Sequence, residues 1–258
     1  MSAVDAPTIP HATATPAARA WRIVRLLTAN PATTVGWPLG ILTLIFVMNW
    51  TVWWLLTRAV GPIGDGETPD GVRFNGAVSF IFVYMLVVAV QAANQSFPLA
   101  LGYGSTRRAF SAGSALAFTL LALGYATLLT IGAWFEELTS GWGLHGNFFR
   151  TIYFATDAGW PAQWWIYFCW FVFFFFTGTI FAAVFVRWRA TGLSTAFALL
   201  GLLVVGLLAA LILSDGWVAL GETLAALGPL GVASLALVPG VLAAVVGHLL
   251  LRRATPRS

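Results

Sequence analysis

Six long apolar runs, separated by connections that hold nearly all the charge, constrain the fold of this 258-residue chain more than any other feature. A helix that crosses a membrane needs about 20 predominantly apolar residues. Only 9% of the residues are charged, whereas a soluble domain has about 25%. The sequence therefore predicts an all-α integral membrane protein with six transmembrane helices, near residues 37–58, 77–97, 112–135, 163–186, 194–213 and 230–251.

The charges in the connections alternate in sign along the chain. Connections rich in arginine precede the first run and follow the second, fourth and sixth, and together they hold ten of the thirteen arginines. The remaining connections hold eight of the nine acids. Because cytoplasmic loops carry the excess of basic residues, this alternation predicts a multi-pass protein of the plasma or inner cell membrane. Both termini are predicted to be cytoplasmic.

Two segments before the first run differ in character. Residues 1–18 are rich in Ala, Thr and Pro and are predicted to form a disordered tail. Residues 19–30 (RAWRIVRLLTAN) place arginines three apart beside a tryptophan, which predicts an amphipathic helix in the membrane interface, near anionic lipid. A solvated basic segment is the alternative. Residues 31–258 are predicted to form the transmembrane domain. The interfacial side chains are Arg19, Trp21, Arg22 and Arg25.

The connection before the last run is predicted to contain a short helix on the outer side. Ser214-Asp215 can cap a helix, the following VALGETLAAL has helical composition, and Gly228-Pro229 would stop it.

Small residues recur four positions apart within the runs and predict close helix contacts. The pairs are Gly113 with Ala117, Gly178 with Ala182, Gly240 with Ala244, and Ala243 with Gly247.

Several classes of function are disfavoured by what the sequence lacks. The chain has no lysine, so it cannot form the nucleotide-binding loop GxxxxGK[ST]. It has no HExxH or GxSxG motif, and none of its three histidines lies in the middle of a run. We therefore expect no catalytic residue, no metal, no cofactor held by this chain and no nucleic-acid partner.

Four amide side chains are candidates for lining a substrate path. Gln91, Asn94 and Gln95 are spaced i, i+3 and i+4, so they share one helix face. Asn49 in the first run is similar. The alternative is ordinary hydrogen bonding between membrane helices, worth about 0.6 kcal/mol.

The connection after the second run, FPLALGYGSTRRAF at residues 97–110, alternates apolar and charged residues. A hairpin that only reversed the chain could be shorter and wholly polar, so this composition indicates a surface that contacts another protein. The alternative for Arg107 and Arg108 is that they serve only as a topology signal.

The basic first helix, the six runs, this arginine-bearing loop and the short outer helix together resemble the membrane subunit of type 2 ABC exporters. The 97–110 stretch is similar to permeases of actinobacterial exporters. The resemblance implies that two permease chains, identical or paralogous, pair in the bilayer. Each would dock on a separate ATPase that holds ATP and Mg. The residues implied to couple to the ATPase are Phe97, Pro98, Leu99, Leu101, Gly102, Arg107, Arg108 and Phe110.

The resemblance also implies that residues 19–27 form a connecting helix on the inner surface and that 214–229 caps the outer end of the pathway. Two other functions stay open. One is a membrane scaffold or immunity protein that binds a partner without transport. The other, less favoured, is a membrane-embedded enzyme.

Overall fold

The computed structural model describes residues 15–61, 76–151 and 154–253. This part of the chain is helical, with no strand, which confirms the predicted all-α class. The predictions for residues 1–14, for most of the connection after the first run and for the last five residues lie outside the described residues. The helices are α1 (Pro16–Leu27), α2 (Trp37–Ala59), α3 (Ser79–Gly102), α4 (Arg107–Leu138), α5 (Trp160–Leu213) and α6 (Trp217–Arg253).

Five helices of the described chain, α2 to α6, are long and apolar enough to cross a membrane. Short π-helical turns precede α2 (Ala32–Gly36) and follow α4 (Gly141–His145). Six runs were predicted, and the difference lies in α5, which takes up both the fourth and the fifth run in 54 residues.

Helix α5 folds back on itself at Arg189, whose φ of 58° and ψ of −150° are not helical. The rings of Phe181 and Phe197 stack with their centroids 5.1 Å apart. In one continuous helix, residues so far apart in sequence would be separated by about 24 Å, at 1.5 Å per residue. We therefore distinguish two arms, α5a (160–188) and α5b (190–213).

Helix α6 is interrupted in a similar way at Gly228 (φ 61°, ψ 177°), immediately before Pro229. The sequence predicted a helix stop at this pair. We call the short first part α6a (217–227) and the long second part α6b (229–253).

Ring contacts and close approaches give the directions of the helices. Phe82 of α3 contacts Phe171 of α5a, and Gly178 later in α5a lies against Leu86 later in α3, so these helices are parallel. Helix α4 is antiparallel to α5a, since Phe118 stacks on Phe175 and Tyr125 contacts Phe171.

Helix α6b is parallel to α5a. The Nε1 of Trp165 donates to the Oγ of Ser234, and Gly240 and Gly247 follow in contact with Phe173 and Thr179, respectively. Because α5a and α6b run in the same direction, the arm α5b that joins them must lead the chain back toward the end at which α5a begins.

Glycines mark several of the close contacts, as the spacing of small residues predicted. A Cβ built on Gly113 of α4 would lie 2.5 Å from the Cβ of Ile23 and 2.7 Å from the carbonyl oxygen of Ala20. A Cβ on Gly178 would lie 2.6 Å from the carbonyl oxygen of Leu86.

Helix α1 starts at Pro16, so its first turn includes the end of the predicted tail. Its Thr15 cap accepts a hydrogen bond from the N–H of Ala18 at 3.3 Å. The helix buries Ile23, Val24 and Leu27 against the bundle. Its apolar face is thus covered by protein, while its arginines are exposed.

The contact between α1 and α4 can be tested with one methyl group. Gly113→Ala is expected to force α1 away from α4 and to destabilise the fold by about 1–3 kcal/mol, as overpacking does. The measurement is thermal unfolding in detergent, together with the rate of proteolysis after Arg19 and Arg22.

Gly124→Ala on the same helix is the matched control, because nothing lies within 4 Å of a Cβ at Gly124. Equal unfolding temperatures and equal proteolysis for the two variants would contradict the close contact.

Candidate functional site

The stretch 97–110 forms the tip of a helical hairpin. Helix α3 continues to Gly102 and α4 begins at Arg107, so only four residues are not helical. Gly104 adopts φ +77°, a left-handed conformation that favours glycine. The Oγ1 of Thr106 caps α4 by accepting a hydrogen bond from the N–H of Ala109 at 3.1 Å.

The two phenylalanines that bound the stretch are fully buried and meet edge to face, with ring centroids 5.1 Å apart. They belong to an apolar cluster with residues of α1 and with Ala183 of α5a. Phe97 and Phe110 therefore fix the hairpin to the bundle. They are not available on its surface.

The exposed surface of the hairpin consists of residues between the phenylalanines. Leu99 is 54% exposed and Tyr103 83% exposed, while Leu101 and Arg107 are half-buried. Tyr103 was missing from the predicted contact residues. Its position between two glycines is the sequence signal that could have revealed it. The other exposed members are Pro98, Gly102 and Arg108.

We call this end of the bundle the arginine end. Exposed arginines of α1 and of the turn at residue 189 lie at the same end as the hairpin, because Leu26 and Val186 pack on the same cluster. The five acids that the structure describes all lie toward the other end. Within the described chain, the arginine end thus has no carboxylate. Its exposed cations are Arg19, Arg22, Arg25, Arg108, Arg187 and Arg189.

The candidate path residues do not form one site. Asn49 lies on α2 between Phe46 and Trp53, both of which contact the loop at the other end, and its Nδ2 donates to the carbonyl oxygen of Ile45. Gln91, Asn94 and Gln95 lie on α3 close to the arginine end.

The three α3 amides differ in environment. Gln91 and Gln95 are exposed, whereas Asn94 is half-buried and its buried Oδ1 has no hydrogen-bond partner in the structure. A buried acceptor without a donor is costly, so Asn94 is the half-buried member of this set whose side-chain oxygen could accept a further hydrogen bond.

A polar network that the sequence did not predict lies at the opposite end. Glu136, at the end of α4, is 2% exposed. Its carboxylate accepts hydrogen bonds from the backbone N–H groups of Phe148, Phe149 and Arg150 at 2.7, 2.9 and 3.0 Å, and from Trp142 Nε1 at 3.3 Å. From the sequence, Glu136 was predicted only to be one of the acids of an outer connection.

The carboxylate of Glu136 holds a strained loop. Left-handed φ angles between 49° and 77° occur at five positions in and beside the turn after α4. Non-glycine residues in such conformations cost about 1–3 kcal/mol each and persist only where the surroundings enforce them. The residues are Ser140, Gly141, Trp142, Gly143 and His145.

Arg150 organises the outer surface of this loop. Its guanidinium donates to Glu137 at 2.6 Å and to Asp157 at 3.2 Å, and it lies 5.9 Å from the ring of Trp160. Buried Gln163 anchors the loop from α5, since its Nε2 donates to the carbonyl oxygen of Phe154.

Two cavities accompany the loop. A polar cavity of about 450 Å³ is lined by Glu136, Glu137, Ser140, Gly141, His145, Asn147, Arg150, Ala155 and Asp157. An apolar groove of about 270 Å³ between α2 and α4 is lined by Leu39, Leu42, Thr43, Phe46, Leu128, Trp142 and Phe149. Across the described residues, no three His, Cys, Asp or Glu side chains are placed to hold a metal ion.

Comparison with known proteins gives no relative from which a role could be transferred. No family model matches the chain, and neither a curated protein nor a solved structure is similar to it.

The role of Glu136 can be tested against its neighbour. Glu136→Gln replaces one acceptor oxygen by an amide that must face a backbone N–H, so we expect a loss of about 1–3 kcal/mol in unfolding free energy. Glu137→Gln removes an exposed ion pair and is expected to cost less than about 1 kcal/mol. Chemical unfolding in mixed micelles measures both, and similar losses for the two variants would contradict the assignment.

Proposed function

We propose that this chain is the permease subunit of an ATP-binding cassette exporter. Two such chains, identical or paralogous, would form the substrate pathway, and each would be driven by a separate ATPase through the hairpin 97–110. The observation that carries the proposal is the construction of that hairpin. Its tip is exposed, apolar and cationic, while its base is packed into the bundle.

An element that transmits motion from one protein to another needs a surface that contacts the partner and a base that is firmly packed in its own protein. Leu99, Tyr103 and Arg108 supply exposed apolar area and charge for a partner. Phe97 and Phe110 supply the attachment, because their cluster joins α1, α3, α4 and α5a. A force on the tip would be transmitted to these four helices through the cluster.

The charge distribution supports an acidic partner surface. Arg19, Arg22, Arg25 and Arg108 are exposed at an end where the described chain has no carboxylate, and an acidic surface of lipid or of another protein would complement them. A separate ATPase with acidic side chains around a cleft would provide it. The absence of lysine supports a separate energy source, since this chain cannot form a P-loop.

The directions of the helices support six crossings. Helices α5a and α6b are parallel, so the chain must return to the starting end between them. The arm α5b makes this return, and its 24 residues (190–213) suffice to span an apolar layer about 30 Å thick. An even number of crossings would leave both termini on the arginine end, which the positive-inside rule assigns to the cytoplasm.

The pairing of two permease chains has support from α5b. Every residue from 198 to 210 is exposed, on all faces of the helix. A second permease chain would cover part of this surface and enclose the pathway between the two copies.

Coupling can be tested with a single charge. Arg108→Glu is expected to lower the stimulation of ATP hydrolysis by the co-purified ATPase at least about tenfold, because each lost charge pair at a desolvated contact costs about 2–5 kcal/mol. Arg187→Glu is the matched control at the other turn of the same end. If Arg108→Glu left hydrolysis at the wild-type level, the hairpin would not be the coupling element.

Partner capture separates transport from a scaffold. Stable co-purification of a partner whose ATP hydrolysis is insensitive to this chain would favour a non-transporting scaffold.

Topology can be tested with cysteines in intact cells. The natural Cys169 is buried, so Ser105→Cys, Thr191→Cys and Asp215→Cys can be labelled one at a time. We expect an impermeant maleimide to reach only position 215 from outside, because α5b carries the chain across the membrane. Labelling of positions 191 and 215 from the same side would reduce α5 to one crossing.

A further inference from the structure

The apolar groove between α2 and α4 contains a group of three aromatic rings in mutual contact. Phe46 meets Trp142 edge to face with ring centroids 4.8 Å apart, and the ring of Phe149 lies 6.3 Å from each of them. All three residues line the groove, and the rest of its lining is leucine and Thr43. A molecule in the groove would therefore contact aromatic rings and aliphatic side chains, with few polar groups.

Glu136 holds two of these three aromatic residues in place. Its carboxylate accepts hydrogen bonds from the Nε1 of Trp142 at 3.3 Å and from the backbone N–H of Phe149 at 2.9 Å. Nε1 is the only polar atom of an indole ring, so the Trp142 ring has only carbon to offer a ligand. The carbonyl oxygen of Phe149 accepts a hydrogen bond from the hydroxyl of Tyr167 at 2.9 Å. The rings are thus fixed, and they would recognise a ligand by ring contacts and not by hydrogen bonds.

Helix α2 is fastened to the bundle on either side of the groove. Just before α2, the carbonyl oxygen of Thr34 accepts a hydrogen bond from the hydroxyl of Tyr125 at 2.6 Å. Toward the end of α2, the ring of Trp53 lies against Gly146, where a Cβ would be 2.4 Å from the ring. Between these contacts Thr43 of the groove lining is exposed. Because α2 and α4 are both long and apolar enough to cross a membrane, this open side would face the lipid.

We infer that the groove is a binding site for a flat, rigid aromatic molecule that enters from the lipid. Its volume is about 270 Å³. An apolar cavity of about 150 Å³ holds benzene, so the groove is large enough for two or three fused rings.

A lipid surrounding favours an aromatic ligand over an acyl chain. Lipid tails are as apolar as leucine, so a molecule that moves from the bilayer into the groove gains nothing from leaving water. Its affinity must come from contacts that lipid does not offer. Edge-to-face and offset ring contacts are such contacts, because they attract beyond the area that they bury. A rigid ring system also loses no internal rotation on binding, whereas an acyl chain does.

Binding at the groove does not depend on the proposed transport function, because the hairpin proposed to meet the ATPase lies at the arginine end. It can therefore be measured on the full chain alone, embedded in lipid nanodiscs. Radiolabelled phenanthrene is the probe, and equilibrium dialysis measures its uptake. Perhydrophenanthrene, which has the same carbon skeleton and no aromatic ring, is the competitor. Empty nanodiscs of the same lipid give the background.

We expect phenanthrene uptake to saturate above the background, and perhydrophenanthrene to displace it only at concentrations about three- to tenfold higher. Phe46→Leu should remove most of this difference, whereas Phe135→Leu, an exposed ring of α4 outside the groove lining, should retain it. Thr43→Phe should fill the groove and abolish saturable uptake, whereas Thr51→Phe, also exposed on α2, should not.

Three outcomes would overturn the inference. Uptake that rises with phenanthrene concentration as in empty nanodiscs, without saturation, would mean that lipid tails fill the groove. Equal affinity for phenanthrene and its hydrogenated form would mean that the rings select nothing. Saturable uptake retained in Thr43→Phe would place the bound phenanthrene elsewhere on the protein.

Discussion

The free-energy cost of placing a charge in an apolar layer governs the arrangement of the whole chain. Five described helices are long enough to cross such a layer, and their charged residues gather toward the two ends of the bundle. The acids that the structure describes lie toward one end, and exposed arginines of α1, the hairpin and the turn at residue 189 lie at the other. The interior is joined by aromatic contacts and by close approaches at glycine, which carry no charge and need no partner in water.

The two ends satisfy their charges in different ways. At the acidic end, backbone N–H groups donate hydrogen bonds to Glu136, and Arg150 forms ion pairs with two carboxylates. Most charges of this loop are thus paired within one chain. At the arginine end, Phe97 and Phe110 are buried in the bundle, and the described residues contain no carboxylate at that end. The hairpin 97–110 is therefore packed firmly at its base, while its exposed tip carries positive charge. Such an element is suited to bind a partner protein.

The all-helical class was predictable, and so was the presence of helices long and apolar enough to cross a membrane, of which the described chain has five, because length and apolar composition can both be read from sequence. The stop at Gly228-Pro229 was also predictable from backbone preferences. The role of Glu136 was not, since its donors are backbone groups of residues 148 to 150, and backbone donors leave no mark in a sequence. The burial of Phe97 and Phe110 was missed for a related reason. A bulky residue beside a charged loop can either anchor the loop to the bundle or contact a partner protein. Only the packing of α1 against these phenylalanines shows that they anchor the loop.

The network around Glu136 has a consequence for the order in which the chain is assembled. It joins residues fewer than twenty positions apart, and Tyr167 adds a hydrogen bond to the carbonyl oxygen of Phe149 from the next helix. The helical pair α4 and α5a can therefore form this network while the ribosome is still synthesising α6. The cluster at the arginine end brings Ile23 near Leu250, so it closes only when the last helix has been inserted. The network around Glu136 needs no residue of α6, whereas the cluster at the end proposed to meet the ATPase includes Leu250 of that last helix.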